Sequence, residues 1–206
     1  MNTTMIELAQ QKVALLTRVP VLGQVKQRLA AEIGDTAAFQ CYRELLNVAL
    51  EAVSPFTTTL WLDQLDSQFS NSSFEIRIQL QPPGDLGERM FTALKAGAKV
   101  LIGSDIPEIS SEYIALAFQR LKEHEVVLGP TEDGGYCLIG MHKPRRDLFD
   151  NMRWGQESVL EETLSRIGRL NLSVSLLPKL WDVDDSNSYI RWCKTCRPKA
   201  TNGTVE

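Results

Sequence analysis

Three stretches of the chain carry side chains whose type and spacing could do chemistry. The first is Arg18 to Arg28, where Arg18, Lys26 and Arg28 fall within eleven residues around Gly23. A glycine lets backbone N–H groups close on an anion, and Lys or Arg neutralises phosphate charge. The pattern is neither G-x-G-x-x-G nor G-x-x-x-x-G-K-[ST], so neither the dinucleotide-binding nor the P-loop reading applies. The simpler alternative is three solvated surface cations. The second stretch is Gly103-Ser104-Asp105-Ile106-Pro107. A carboxylate that closes an apolar run is poorly solvated without a partner. Mg2+ or Mn2+ bridging it to a substrate phosphate would be one partner, and backbone N–H groups in the turn at Pro107 another. The third is Asp182-Val183-Asp184-Asp185. Asp182 and Asp184 share a face if the stretch is extended, and either could join Asp105 around a divalent ion. Alternatively, Asp184 or Asp185 caps the helix that follows.

Lesser features complete the inventory. Asp85 and Glu88 read as a capping box, while Gly84 and Gly87 would let a base or ribose lie against the same loop. Cys193-x-x-Cys196 lacks a second ligand pair, which argues against zinc. With His124 and His142 the only histidines, a Ser–His–Asp hydrolase or a His-rich zinc enzyme has little material.

These groups must be positioned by an alternation of strands and helices, the mark of a layered α/β domain. Val13 to Thr17 reads as a buried strand, followed by a polar loop, RVPVLGQVKQRL. Asp35 looks like an N-cap, and apolar residues recur at helical spacing from Phe39 to Val53 until Ser54-Pro55. Thr57 to Leu62 is a strand, and Phe74, Ile76, Ile78 and Leu80 alternate with polar residues as another. A helix opens at Asp85 and stops at Gly97. Val100 to Gly103 is continuously apolar, as in a parallel sheet covered on both faces. Ser110 or Ser111 caps the next helix. Strands over 126–128 and 136–140 flank the Glu132-Asp133-Gly134-Gly135 loop. A helix over 157–167, a strand over 172–176 and a final helix follow. This predicts one three-layer α/β/α sandwich with a mostly parallel mixed sheet. Residues 1–10 form an N-terminal extension, 11–196 the domain and 197–206 a polar tail. Ligands of such sheets bind beyond the carboxyl ends of the strands.

Composition narrows the class. The chain has 206 residues, 43% hydrophobic and 23% charged, so it is neither disordered nor a disulfide-framework miniprotein. A net charge of −4 argues against broad nucleic-acid or anionic-membrane binding. Four cysteines, unevenly spread, fit reduced thiols. No segment approaches the roughly 20 apolar residues of a membrane span, and a cytoplasmic location is expected. Base, sugar, acceptor and oligomeric state depend on pocket and surface shape rather than on any motif here.

Taken in order, RVPVLGQVKQRLA, GDLGERM, VLIGSDIP, VVLGPTEDGGYCLIG and WDVDD resemble the radical-SAM/selenodomain-associated transferase family. That family is glycosyltransferase-like and has the nucleotide-diphospho-sugar transferase (GT-A) fold. The resemblance spans about Val13 to Tyr189. The front half is also similar to phospholactate guanylyltransferases through Pro20, Lys26, Arg28 and Leu29. The resemblance implies a metal-dependent transferase with a nucleotide cradle at Arg18, Gly23, Lys26 and Arg28, and base and ribose near Gln81, Gly84, Asp85 and Gly87. It implies Mg2+ or Mn2+ on Asp105 and on Asp184, or else Asp182. Glu132, Asp133, Gly134, Gly135 and Tyr136, with Trp154, would line an acceptor pocket, and Asp133 would serve as catalytic base beside Asp105 and Lys26. The first loop departs from the G-x-G-T-R start of many sugar nucleotidyltransferases. The donor is then a nucleotide sugar or a nucleoside triphosphate, the acceptor a small molecule. Nucleotidyl transfer with pyrophosphate release and non-catalytic nucleotide binding stand as the alternatives.

Overall fold

The computed structural model describes residues 7–65 and 76–195. Phe74, Cys196, the first six residues of the predicted extension and the tail 197–206 lie outside them.

A single seven-stranded sheet runs through the described residues in the order β3-β2-β1-β4-β6-β5-β7. Its strands are β1 (Lys12–Thr17), β2 (Thr57–Leu62), β3 (Arg77–Leu80), β4 (Val100–Ile102), β5 (Val126–Pro130), β6 (Tyr136–Met141) and β7 (Val174–Leu176). All neighbours pair in parallel except β6, which runs antiparallel between β4 and β5. The helices are α1 (Gln27–Ile33), α2 (Asp35–Val53), α3 (Leu86–Lys95), α4 (Ser111–Leu121), α5 (Val159–Arg169) and α6 (Ser186–Thr195).

The continuously apolar strands are buried on both faces, as their composition requires. Val13, Leu15, Val100 and Ile102 pack on one side with Leu46 and Ala49 of α2 and Ile114 and Phe118 of α4. Ala14, Leu16 and Leu101 face the other way, onto Met90 and Leu94 of α3 and Ile167 of α5. The result is the expected α/β/α sandwich. A third cluster joins Leu29 of α1 and Leu45 of α2 to Trp181, Val183 and Trp192. It fixes the stretch that carries Asp182 and Asp184. Leu8, in the predicted extension, packs on the first cluster.

Several local expectations shift. The polar loop is helical from Gln27. Its N-cap, Lys26, adopts a left-handed backbone (φ 49°) and makes no side-chain cap, so no capping residue announces the helix; burial of Leu29 holds it. Gly34 (φ 87°), not Asp35, is the N-cap of α2, and Asp35 is its first residue. The described part of the third strand is Arg77–Leu80. Asp85 caps α3 by accepting from the Glu88 N–H at 2.9 Å. Glu88 does not close the box: its carboxylate takes Arg146 at 2.6 Å. Ser110 caps α4 as predicted.

Candidate functional site

Strands leave β1 toward β2 on one side and β4 on the other, so the topological switch point lies between the carboxyl ends of β1 and β4. A cleft of about 760 Å³ opens there. Hydroxyls tie its two lips together: Thr17, at the end of β1, is hydrogen-bonded to Ser104 at 3.0 Å and to Tyr42 of α2 at 2.7 Å. Tyr42 also holds the Arg18 backbone, accepting from its N–H at 2.9 Å and donating to its carbonyl at 2.8 Å.

The cleft gathers most of the predicted site. Arg18, Lys26, Asp105, Asp182, Asp184, Asp133, Gly135, Tyr136 and Trp154 all line it. So do Gln81, Gly84 and Asp85. The central contact is Lys26 Nζ to Asp105 Oδ1 at 2.7 Å, with the lysine side chain 5% exposed and the aspartate 47%. Burial opposes the ammonium charge, but Asp105 in contact and Asp184 nearby outweigh it and hold the lysine above its ordinary range. At the rim, Arg28 Nη1 meets Asp184 Oδ2 at 3.3 Å. Asp185 is the cap of α6, its Oδ1 accepting from the Ser188 N–H at 2.8 Å. That role leaves Asp184 facing Arg28. Burial, and then the charge of Asp133, push Asp182 up to about 6. Asp133 is anchored by the Thr131 hydroxyl at 2.5 Å and the Gly135 N–H at 3.0 Å.

Other predicted residues are placed differently. Both donors of the Gln81 amide are consumed by the Thr17 and Trp61 carbonyls, at 2.8 and 2.9 Å, so it braces the strand ends. Gly23, Arg28, Gly87, Glu132 and Gly134 are not on the cleft wall, although Arg28 reaches Asp184, which is. Gly23 makes a positive-φ turn (78°). A Cβ on Gly87 would lie 2.9 Å from both the Phe149 carbonyl and the Trp154 ring, so that glycine lets the first turn of α3 pack closely. Gly134 serves the same end against the backbone of Glu157. Glu132 turns away to Arg191, at 2.7 Å.

The sequence reading missed Arg89. It lines the cleft, donates to Gln81 Oε1 at 3.2 Å and makes no ion pair among the described residues. Its position in the first turns of α3, four residues after the cap Asp85, was the available signal. The reading also missed Gln24 and Gln156 on the walls. Tyr136 and Trp154 pack edge to face, 6.4 Å between centroids, and burial raises the Tyr136 phenol.

No ready-made cage of three His, Cys, Asp or Glu side chains exists among the described residues. Asp105 and Asp184 line the cleft with carboxylate oxygens, the donor type that Mg2+ or Mn2+ prefers beside a phosphate. Each is paired with a cation of one short segment, Asp105 with Lys26 at 2.7 Å and Asp184 with Arg28 at 3.3 Å, and both line the cleft. Among the described residues no helix is long and apolar enough to cross a membrane.

Sheet order, the lone antiparallel strand and the cleft at the switch point define a nucleotide-diphospho-sugar transferase fold. A candidate nucleotide-diphospho-sugar transferase from Desulfovibrio desulfuricans superposes with a TM-score of 0.83 at 28% identity, over 93% of this chain and 89% of that one. The 4-diphosphocytidyl-2C-methyl-D-erythritol synthase of Anaerococcus prevotii shares the fold at 14% identity (TM-score 0.56, 92% and 97% covered). So does Rv0371c of Mycobacterium tuberculosis, solved in complex with manganese, at 16% identity (TM-score 0.55, 90% and 100% covered). No curated protein matches the sequence. Over residues 46–156 the chain matches the family described as uncharacterized protein conserved in bacteria (DUF2064), and it belongs to that family.

Proposed function

We propose that the chain transfers a group from a nucleotide-activated donor, with a nucleotide sugar as the leading donor class, to a small acceptor in the same cleft. The observation that carries this reading is the buried Lys26 paired with Asp105 at the switch point, with Arg18 and Asp184 beside it. Cations and carboxylates that converge at this place in the fold suit a phosphorylated ligand and a divalent ion together. The description borne by the 28% identical Desulfovibrio protein supports it.

In this reading the donor phosphates lie on Arg18 and Lys26, with Arg28 at the rim, and base and ribose near Gly84 and Asp85. Asp105 and Asp184, with Asp182 as the other candidate, would hold Mg2+ or Mn2+, which supplies charge neutralisation for the departing phosphate. Lys26 and Arg18 stabilise the same charge from the protein side. Asp133, held on the cleft by the Thr131 hydroxyl and the Gly135 N–H, is the proton acceptor of this reading. Asp133, the base expected from the sequence, raises Asp182 by its own charge. The acceptor rests against Tyr136 and Trp154.

Three cations along one segment also favour a second reading, nucleotidyl transfer from a nucleoside triphosphate. The test is thermal stability against nucleotide sugars and triphosphates, each with and without Mg2+ or Mn2+. A bound donor stabilises by about 2.7 kcal/mol at a hundredfold excess over Kd. A metal-dependent rise with a nucleotide sugar, and nucleoside diphosphate release on turnover, support the first reading; pyrophosphate release selects the second. Binding without turnover under any acceptor marks a non-catalytic nucleotide-binding protein. A flat panel sinks all three.

A further inference from the structure

The two carboxylates read above as metal ligands are each held by a cation from one short segment. Lys26 sits on Asp105 at 2.7 Å and Arg28 on Asp184 at 3.3 Å. The same segment is clamped down further along. The Glu32 carboxylate accepts from the Ser186 hydroxyl and from its N–H, and Leu29 is buried with Trp181 and Val183. Lys26 reaches its position with a left-handed backbone, and its ammonium is almost wholly enclosed. The start of α1 therefore lies as a strap across the carboxylates and supplies the positive charge that a divalent ion would otherwise supply.

We infer that this strap makes metal and donor bind together rather than separately, an inference that rests on the proposed roles of Asp105 and Asp184. A divalent cation arriving alone meets two cations already on its ligands and must expel a buried ammonium toward solvent. Donor phosphates offer Lys26 and Arg28 an alternative anion, which frees both carboxylates. Metal affinity is low without the donor and rises with it, and by linkage donor affinity rises equally with the metal. Couplings of this kind span on the order of 5- to 150-fold.

The test is Mn2+ binding to the full chain without nucleotide, followed by the paramagnetic resonance signal of free Mn2+. Lys26→Met is expected to bind Mn2+ on the order of tenfold more tightly than the wild type, and adding Asp105→Asn should erase that gain. Arg28→Gln alters a side chain 76% exposed, so it keeps the test alive if Lys26→Met does not fold, and it should tighten Mn2+ several-fold. Mn2+ binding that is unchanged, weaker or absent in the folded variants overturns the inference. A tighter Mn2+ site in a protein that binds no nucleotide would retire the donor reading and keep the strap as a metal gate. Nucleotide binding with no change in Mn2+ affinity would retire the strap and keep the donor reading.

Discussion

Thr17 and Ser104, 87 positions apart in sequence, are hydrogen-bonded through their hydroxyls at 3.0 Å. The contact marks where β1 and β4 end side by side, and it aligns the loop of Arg18 with the loop of Asp105. Tyr42 completes the arrangement from α2 and holds the Arg18 backbone at both its N–H and its carbonyl.

Tyr42→Phe deletes that hydroxyl and strands its partners. The expected loss is about 1–3 kcal/mol, or roughly 2–4 °C in Tm per kcal/mol for a chain of this size. Donor affinity should weaken as well, because the Arg18 backbone loses its anchor. Calorimetry and nucleotide titration of the same variant check both effects.

The Lys26–Asp105 pair is asymmetric in exposure, 5% against 47%, and the variants should be asymmetric too. Asp105→Asn leaves an enclosed ammonium without its carboxylate and should cost on the order of 2–4 kcal/mol, somewhat under the usual range for breaking a buried pair. Lys26→Met leaves the buried Asp105 Oδ1 without its cation, but the rest of that carboxylate is half exposed, so the cost should be smaller, about 1–2 kcal/mol. Both should abolish turnover. Urea denaturation that shows equal costs would mean that the ammonium is better solvated than its position implies.

Asp182 gives stability a pH dependence of definite sign. Its folded value, about 6, lies above its ordinary 3.8. Between those values the folded protein holds a proton that the unfolded chain has lost. Stability therefore falls as pH rises from about 4 to 6 and is flat above. Solvent screening limits the change to about 1 kcal/mol, some 2–4 °C in Tm. Asp182→Asn should remove this slope.

Gly134 has a positive φ of 84°, and an added Cβ would meet the Glu157 carbonyl oxygen at 2.0 Å. Gly134→Ala should destabilise the fold by about 1–3 kcal/mol or more through overpacking and backbone strain. Donor binding by the folded fraction should be retained, since Gly134 is off the cleft wall. A selective loss of affinity at unchanged Tm would instead give this glycine a direct role at the ligand.

Sequence alone determined the layers and most of the elements. Strand burial, the caps at Asp85 and Ser110 and the stops at Ser54-Pro55 and Gly97 are local matters of apolar period and backbone chemistry, legible without a neighbour in view. It also singled out Asp105, because a carboxylate that ends a buried strand needs a partner wherever the strand lies. It missed α1, whose one fully buried residue, Leu29, packs against tryptophans from the other end of the chain. Tertiary structure decided which polar groups meet. Strand order sets β1 beside β4 and brings Lys26 rather than backbone N–H groups onto Asp105. It spends the Gln81 amide on strand-end carbonyls, aims Arg89 into the cleft and turns Glu132 outward to Arg191. Charge pairing acts over a few ångströms of space, and spacing along the chain does not encode that distance until the sheet has set its order.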